Sequence, residues 1–377
     1  MMTAGDPIRG GRSRSGERPS FINQYNFYPM NRKILFFGLP PLLLLGILVM
    51  LSPRQEIVQN DRNRNWVSHK RIKISDTLSV FGDVDDLCFS GRTLWMNKRT
   101  KIACYDLNSG NTIDVAALKT PGGSFSGFII REKNLYLHEI NSSLISRFDL
   151  EHSKITAQYT FRFPVAALLA VPDTHTLVLN RIRAENAGIE RVMTDLRGNI
   201  RQADLLPATR VDGGLLYYSG TETFSGQYYV SLPFYKDSAW VFDEKYTALR
   251  AFRLVDASDQ DFEFKTVGNR RYLAETVNRH RLDATALGNL LLVVSNVSSE
   301  NQTRDDFVRR STIDAYAIDT GTYLFSFYLP SYKKSRISQL AVSGDSLLAA
   351  AYFNSQILLF DLRDFLKNEI AAHGNIQ

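Results

Sequence analysis

Cysteine is nearly missing from this chain. Cys88 and Cys104 are the only two in 377 residues, and neither has a CxxC partner. That excludes a thiol metal site or a redox pair. Other chemistry is missing too. No phosphate loop, HExxH pair or GxSxG elbow occurs, and the six histidines are scattered without ligand spacing. A basic folded region is also lacking. Residues 1–75 carry 12 Lys/Arg and 4 Asp/Glu, a net of +8, so the other 302 residues sum to −2 against a whole-chain +6. Nucleic-acid binding is disfavoured, since it needs positive charge on the folded part.

What is present begins with one long apolar run. Ile34 to Leu51 is 18 residues without a polar side chain, preceded by Arg32 and Lys33. At ~1.5 Å per residue it spans about 27 Å, enough for the hydrocarbon core of a bilayer, and the basic flank favours a cytoplasmic N-terminus. No small-residue cleavage site or lipidation cysteine follows. The run is therefore expected to be an uncleaved signal anchor, the other reading being a signal peptide with a weak cleavage site. Residues 1–33 form a basic tail, and residues 1–29 within it are rich in Gly, Arg, Ser and Pro and expected to be disordered. Met30 opens a second start of export-signal shape, so the biological start is expected there. Residues 52–69 are expected to be a polar tether, and residues 366–377 a C-terminal tail.

Beyond the tether a period appears. An apolar strand ending in Asp recurs at Asp106, Asp149, Asp195, Asp243, Asp319 and Asp361, with steps of 43, 46, 48, 76 and 42. Turn chemistry follows, as in Asn108-Ser109-Gly110 and Arg197-Gly198-Asn199, so each Asp reads as a turn-former and not as a catalytic acid. Four strands fit around each Asp. Units of about 40–45 residues with four strands are the blades of a β-propeller. The expected fold is all-β: a six-bladed propeller of four-stranded antiparallel blades over residues 70–365, preceded by the single anchor helix. The sixth unit has room for only three strands, so the run Lys70–Leu78 is expected to supply its outer strand and close the ring. Cys88 and Cys104 fall two strands apart, roughly 9–10 Å, too far for a disulfide. Both are expected to be free and buried.

The rhythm of Leu94-Trp95-Met96-Asn97 before Tyr105-Asp106, and of Val294-Ser295-Asn296 before Ile318-Asp319, resembles six-bladed propellers of the NHL and TolB-like kind, exported bacterial type. The likeness covers roughly residues 66–365. It implies either an interaction platform or a hydrolase or lactonase with a cation in the channel.

The chemistry of candidate residues weighs between these. The innermost strands are expected to begin near Asp83, Ser124, Val165, Asp212, Arg281 and Arg336. Asp83, Asp85, Asp86 and Asp212 would supply oxygens to Ca²⁺, while Arg210, Arg281 and Arg336 would repel it. Two long insertions, 255–278 and 297–310, fill the long step, and 181–191 extends blade three. The last two should emerge on one face, making Arg183, Arg309 and Arg310 candidates for contacting a partner. Asn141, Asn296 and Asn301 open Asn-x-Ser/Thr triplets. The functional expectation is a membrane-anchored module outside the cytoplasm that binds protein, peptide or glycan without catalysis or cofactor and contacts no nucleic acid. The alternative is a metal-dependent hydrolase or lactonase working in the channel.

Overall fold

The computed structural model describes residues 59–60, 63–80, 83–98, 101–119, 125–139, 142–182, 189–203, 205, 219–256, 264–267, 270–273, 279–353 and 355–373. The expected tail 1–33 and anchor 34–51 lie outside them. Among the described residues no helix is long and apolar enough to cross a membrane.

Six four-stranded antiparallel sheets follow one another along the chain. Blade 1 runs Asp86–Ser90, Thr93–Asn97, Lys101–Asp106 and Asn111–Lys119. Blade 2 runs Phe125–Arg131, Asn134–Glu139, Leu144–Asp149 and Lys154–Thr160. Blade 3 runs Val165–Asp173, Thr176–Ile182, Ile189–Asp195 and Ile200–Ala203. Blade 4 runs Gly220–Phe224, Tyr229–Pro233, Ser238–Phe242 and Ala248–Arg253. Blade 5 runs Arg281–Leu287, Leu290–Ser295, Arg310–Ala317 and Tyr323–Pro330. Blade 6 runs Ile337–Val342, Leu347–Tyr352 and Gln356–Asp361, and its outer strand is Lys73–Ser79. Lys73 pairs with Asp361 and Ser79 with Gln356, so the ring closes as the missing strand requires.

The sequence pattern explains the blades. Both faces of a blade pack on neighbours, so its second strand is an unbroken apolar run. Leu290–Ser295 is buried at every position. Its even residues (Leu290, Leu292, Val294) join a core with blade 6, and its odd ones (Leu291, Val293) join a core with blade 4. This is strand alternation put to use on both sides. One apolar cluster fills each of the six gaps between blades. A side chain such as Leu292, with no exposure, contributes about 1.5–3 kcal/mol by leaving water. Outer strands meet solvent and read as polar.

The repeated Asp does what its position suggests in five blades. The Asp106 carboxylate accepts from Asn108 N at 2.9 Å, Asp149 from Glu151 N at 2.9 Å, and Asp195 from Arg197 N at 2.9 Å. Asp243 accepts from Lys245 N at 2.9 Å and Asp361 from Arg363 N at 3.0 Å. In blade 5, Asp319 instead donates its backbone N–H to Asn289, and its Oδ1 is buried with no partner among the described residues.

Two segments differ from expectation. The 255–278 insertion is not all loop, because Phe264–Val267 and Arg270–Leu273 pair as a hairpin. Residues 63–69, within the segment expected to be a tether, lie against blade 5. Trp66 bridges Ser326 and stacks on Tyr328 at 4.2 Å between ring centroids. A final helix, Arg363–His373, buries Phe365 against Phe325 and Phe327.

Candidate functional site

Antiparallel strands alternate in direction, so a propeller has two chemically separate faces. Connections between first and second strands, and between third and fourth, share one, here called the turn face. Connections between second and third strands, and from blade to blade, share the other, the loop face. The turn face carries five of the Asp turns together with Asp319.

All six innermost strands line the central channel. A cavity of about 260 Å³ occupies it, bounded by Asp86 and Phe89 of blade 1, Ile130 of blade 2, Leu169 of blade 3, Thr221 and Phe224 of blade 4, Asp283 and Ala286 of blade 5 and Val342 of blade 6. Most of these lie toward the turn-face ends of their strands. Arg131 caps that end by lying 4.7 Å over the Phe224 ring.

Asp86 and Asp283 both line this cavity. Asp283 is 5% exposed and ties three blades together, its Oδ1 accepting from Thr221 Oγ1 at 2.8 Å and its Oδ2 from Leu340 N at 2.6 Å. Burial pushes its pKa up to about 7 against those hydrogen bonds. Burial, then the nearby Asp283 charge, raises Asp86 well above the ordinary carboxylate range. Among the described residues the Asp86 carboxyl is held only by its neighbour's Leu87 N–H, at 2.8 Å. A Ca²⁺ site needs six to eight oxygens. Both Asp283 oxygens are already engaged, and among the described residues no three His, Cys, Asp or Glu side chains gather to hold a metal. Among the described residues, therefore, the oxygens of a Ca²⁺ cage are not gathered, and Asp212 lies outside them.

The sequence-predicted arginines are not brought together as one site. Arg281 is fully buried and pairs with Asp256 at 2.7 Å, in the gap between blades 4 and 5. It is closed to ligands. Arg336 is half-buried on the loop face, donating to Asn296 Oδ1 at 2.9 Å and lying 4.8 Å over Phe307. Burial lowers its pKa. Arg309 and Arg310 are on the loop face. They pair with Asp305 at 2.8 Å and Asp306 at 3.4 Å, the first pair well exposed. Asp305 and Asp306 lie in the first turn of a short helix, Arg304–Arg309. Arg183, Arg210 and Asp212 lie outside the described residues, as does Asn141. Asn296 and Asn301 spend their side chains on protein contacts, Asn301 through Arg64 N at 3.1 Å. Both cysteines are free with one strand between them, though each is half-buried and not buried.

Sequence reading missed two sites. One is Asp283, whose signal was a lone acid inside the apolar strand Arg281–Leu287. The other is Arg64. Its side chain enters the blade 4–5 gap, donating from Nε to Asp314 Oδ1 at 2.8 Å, from Nη2 to Ser295 Oγ at 2.8 Å and from Nη1 to Val297 O at 2.9 Å. Burial works against this charge, but Asp314 outweighs it and holds the guanidinium above its ordinary value.

The sequence matches no family model and no curated protein. Among solved structures it is similar to a chain in a crystal structure of the mitotic checkpoint complex, at 12% identity and a TM-score of 0.47, covering 78% of this chain and 93% of that one. It is also similar to the Cps50 (Swd1) β-propeller domain of Myceliophteria thermophila, at 11% identity and a TM-score of 0.46, covering 77% and 99%.

Proposed function

We propose that the protein is a membrane-anchored propeller of the NHL and TolB-like kind, displayed outside the cytoplasm, that binds a protein, peptide or glycan without catalysis. The apolar run 34–51 with its basic flank supports the anchoring and the side. The observation that carries the binding role is the channel cavity. It is lined from all six blades, mixes apolar side chains such as Phe89 and Leu169 with polar ones, and includes the carboxyls of Asp86 and Asp283. Such a mixture suits one inserted group with hydrogen-bond donors, a side chain or a sugar ring. Asp86, with an oxygen to spare, is the acceptor assigned to it.

Site-specific photo-crosslinking in native membranes tests this. A photoreactive residue at Phe89 should give a discrete adduct, and one at Ile113 on an outer strand should not. Adducts at both positions, or at neither, defeat the reading. A binding role without a cation predicts that EDTA or Ca²⁺ should leave the melting temperature unchanged. A rise with Ca²⁺ would reinstate the metal-dependent alternative, since a native-state ligand stabilises by mass action.

A further inference from the structure

Among the described residues eight large apolar side chains are exposed, and five of them are spread singly over the outer strands. Such scatter needs no explanation. The other three are Ile182, Val308 and Phe353, at 37%, 57% and 63% exposure. Each lies where a second strand gives way to a third, so all three belong to the loop face. Val308 and Phe353 flank a basic stretch. The connections 296–310 and 331–336 hold six basic residues and three acidic ones. Arg304, Lys333 and Lys334 are exposed and make no ion pair among the described residues. Phe353 N donates to Arg336 O at 3.1 Å, which joins the aromatic to the basic connection.

The chain also reaches the propeller at this place. Gln59–Asn60 pairs in parallel with Ser298–Ser299, inside the 296–310 connection, and Arg64 is tied to Val297 and Asn301 of the same connection. Only residues 52–58 separate that pairing from Leu51. Seven residues span at most about 25 Å.

We propose that the loop face at blades 5 and 6 docks on the anionic lipid surface of the membrane that holds residues 34–51. Val308 and Phe353 enter the interface, while Arg304, Lys333 and Lys334 meet lipid phosphates. The pairing of exposed apolar groups with cations is that of a peripheral membrane contact, and the short link keeps it in reach. This rests on the anchoring proposed above. It turns the turn face, and the channel mouth there, away from the bilayer.

The test uses the full chain in vesicles carrying brominated acyl chains, with phosphatidylglycerol or with phosphatidylcholine alone. Tryptophan is added by Phe353→Trp on the loop face or by Gln227→Trp on the turn face. With phosphatidylglycerol, the added fluorescence at 353 should be quenched at least twofold more than that at 227. Adding K333E and K334E should abolish the difference. Carbonate-resistant flotation of the same samples reports the anchor separately. Flotation with equal quenching at 353 and 227 overturns the docking and leaves the anchor standing. Quenching at 353 that is equally strong with phosphatidylcholine alone overturns the role of lipid phosphates. Failure to float overturns the anchor, and the docking with it.

Discussion

An arginine at 3% exposure, with its side chain and that of Asp314 each 1% exposed, is costly to leave half-built. Arg64→Ala would strand the Asp314 carboxylate, still bonded to Ser326 at 2.5 Å, in a dry gap. The expected loss is about 3–5 kcal/mol in urea unfolding, the usual cost of breaking one side of a buried pair. A loss below about 1 kcal/mol would mean that residues 63–67 are not held there. Asp283 gives a different signature. Its folded pKa, about 7, lies above its unfolded value. The native state therefore holds the proton longer, and the stability this group lends is full below about pH 4 and lost as pH rises through about 7. Three units at ~1.4 kcal/mol each set a ceiling of about 4 kcal/mol. His138, fully buried with its pKa lowered by burial, acts in the opposite sense, lending stability above its unfolded pKa that is lost as pH falls. The comparison must therefore be between variants. Asp283→Asn should remove the fall between pH 4 and 7 relative to the parent, and parallel curves would refute the assignment. Neither residue was legible beforehand. A single Arg in a polar stretch and a single Asp in a strand acquire meaning only when the ring sets blade 5 beside blades 4 and 6.

Among elements, the turns were the most legible and the insertions the least. Asp followed by small polar residues and Gly specifies its own hydrogen bonds locally, so spacing in sequence is enough to find it. The hairpin within 255–278 and the helix within 297–310 are fixed by few local signals, and both read as loop. The turns also show where the repeat fails. Asp195 accepts from two backbone N–H groups and from the Asn199 side chain at 2.8 Å, and these contacts hold its pKa below the usual range. Asp319 has lost that arrangement. Asp195→Ala should lower the melting temperature by about 2–4 °C. Asp319→Asn should leave it unchanged or raise it, because an unpaired buried carboxylate oxygen gains nothing from its charge. Thermal unfolding followed by circular dichroism ranks the two, and an equal drop for both would refute the distinction.

At the scale of the whole molecule, closure matters most. The ring was legible because a count of strands left blade 6 one short and a strand-like run unspent before blade 1. Joining first to last makes the longest-range pairing in the fold, Lys73 to Asp361, and it adds partly buried Leu78 and buried Val80 to the core between blades 6 and 1. Without it, blade 6 would end on an open edge at Gln356–Asp361. A chain lacking residues 1–58 keeps both Arg64 and the closing strand, so its melting temperature should stay within about 2 °C of the parent. A chain lacking residues 1–80 loses both, and should melt at least about 10 °C lower without cooperativity, since each of these contacts spans the ends of the sequence. If that chain does not fold at all, a copy of residues 59–80 supplied in trans as a peptide decides the matter. Closure by strand pairing requires the peptide to restore a cooperative transition in proportion to its concentration. A peptide with Arg64→Ala should do so less well, and one with Leu78→Pro not at all. Recovery indifferent to both substitutions would show that the two ends meet by some other means than this strand and its arginine.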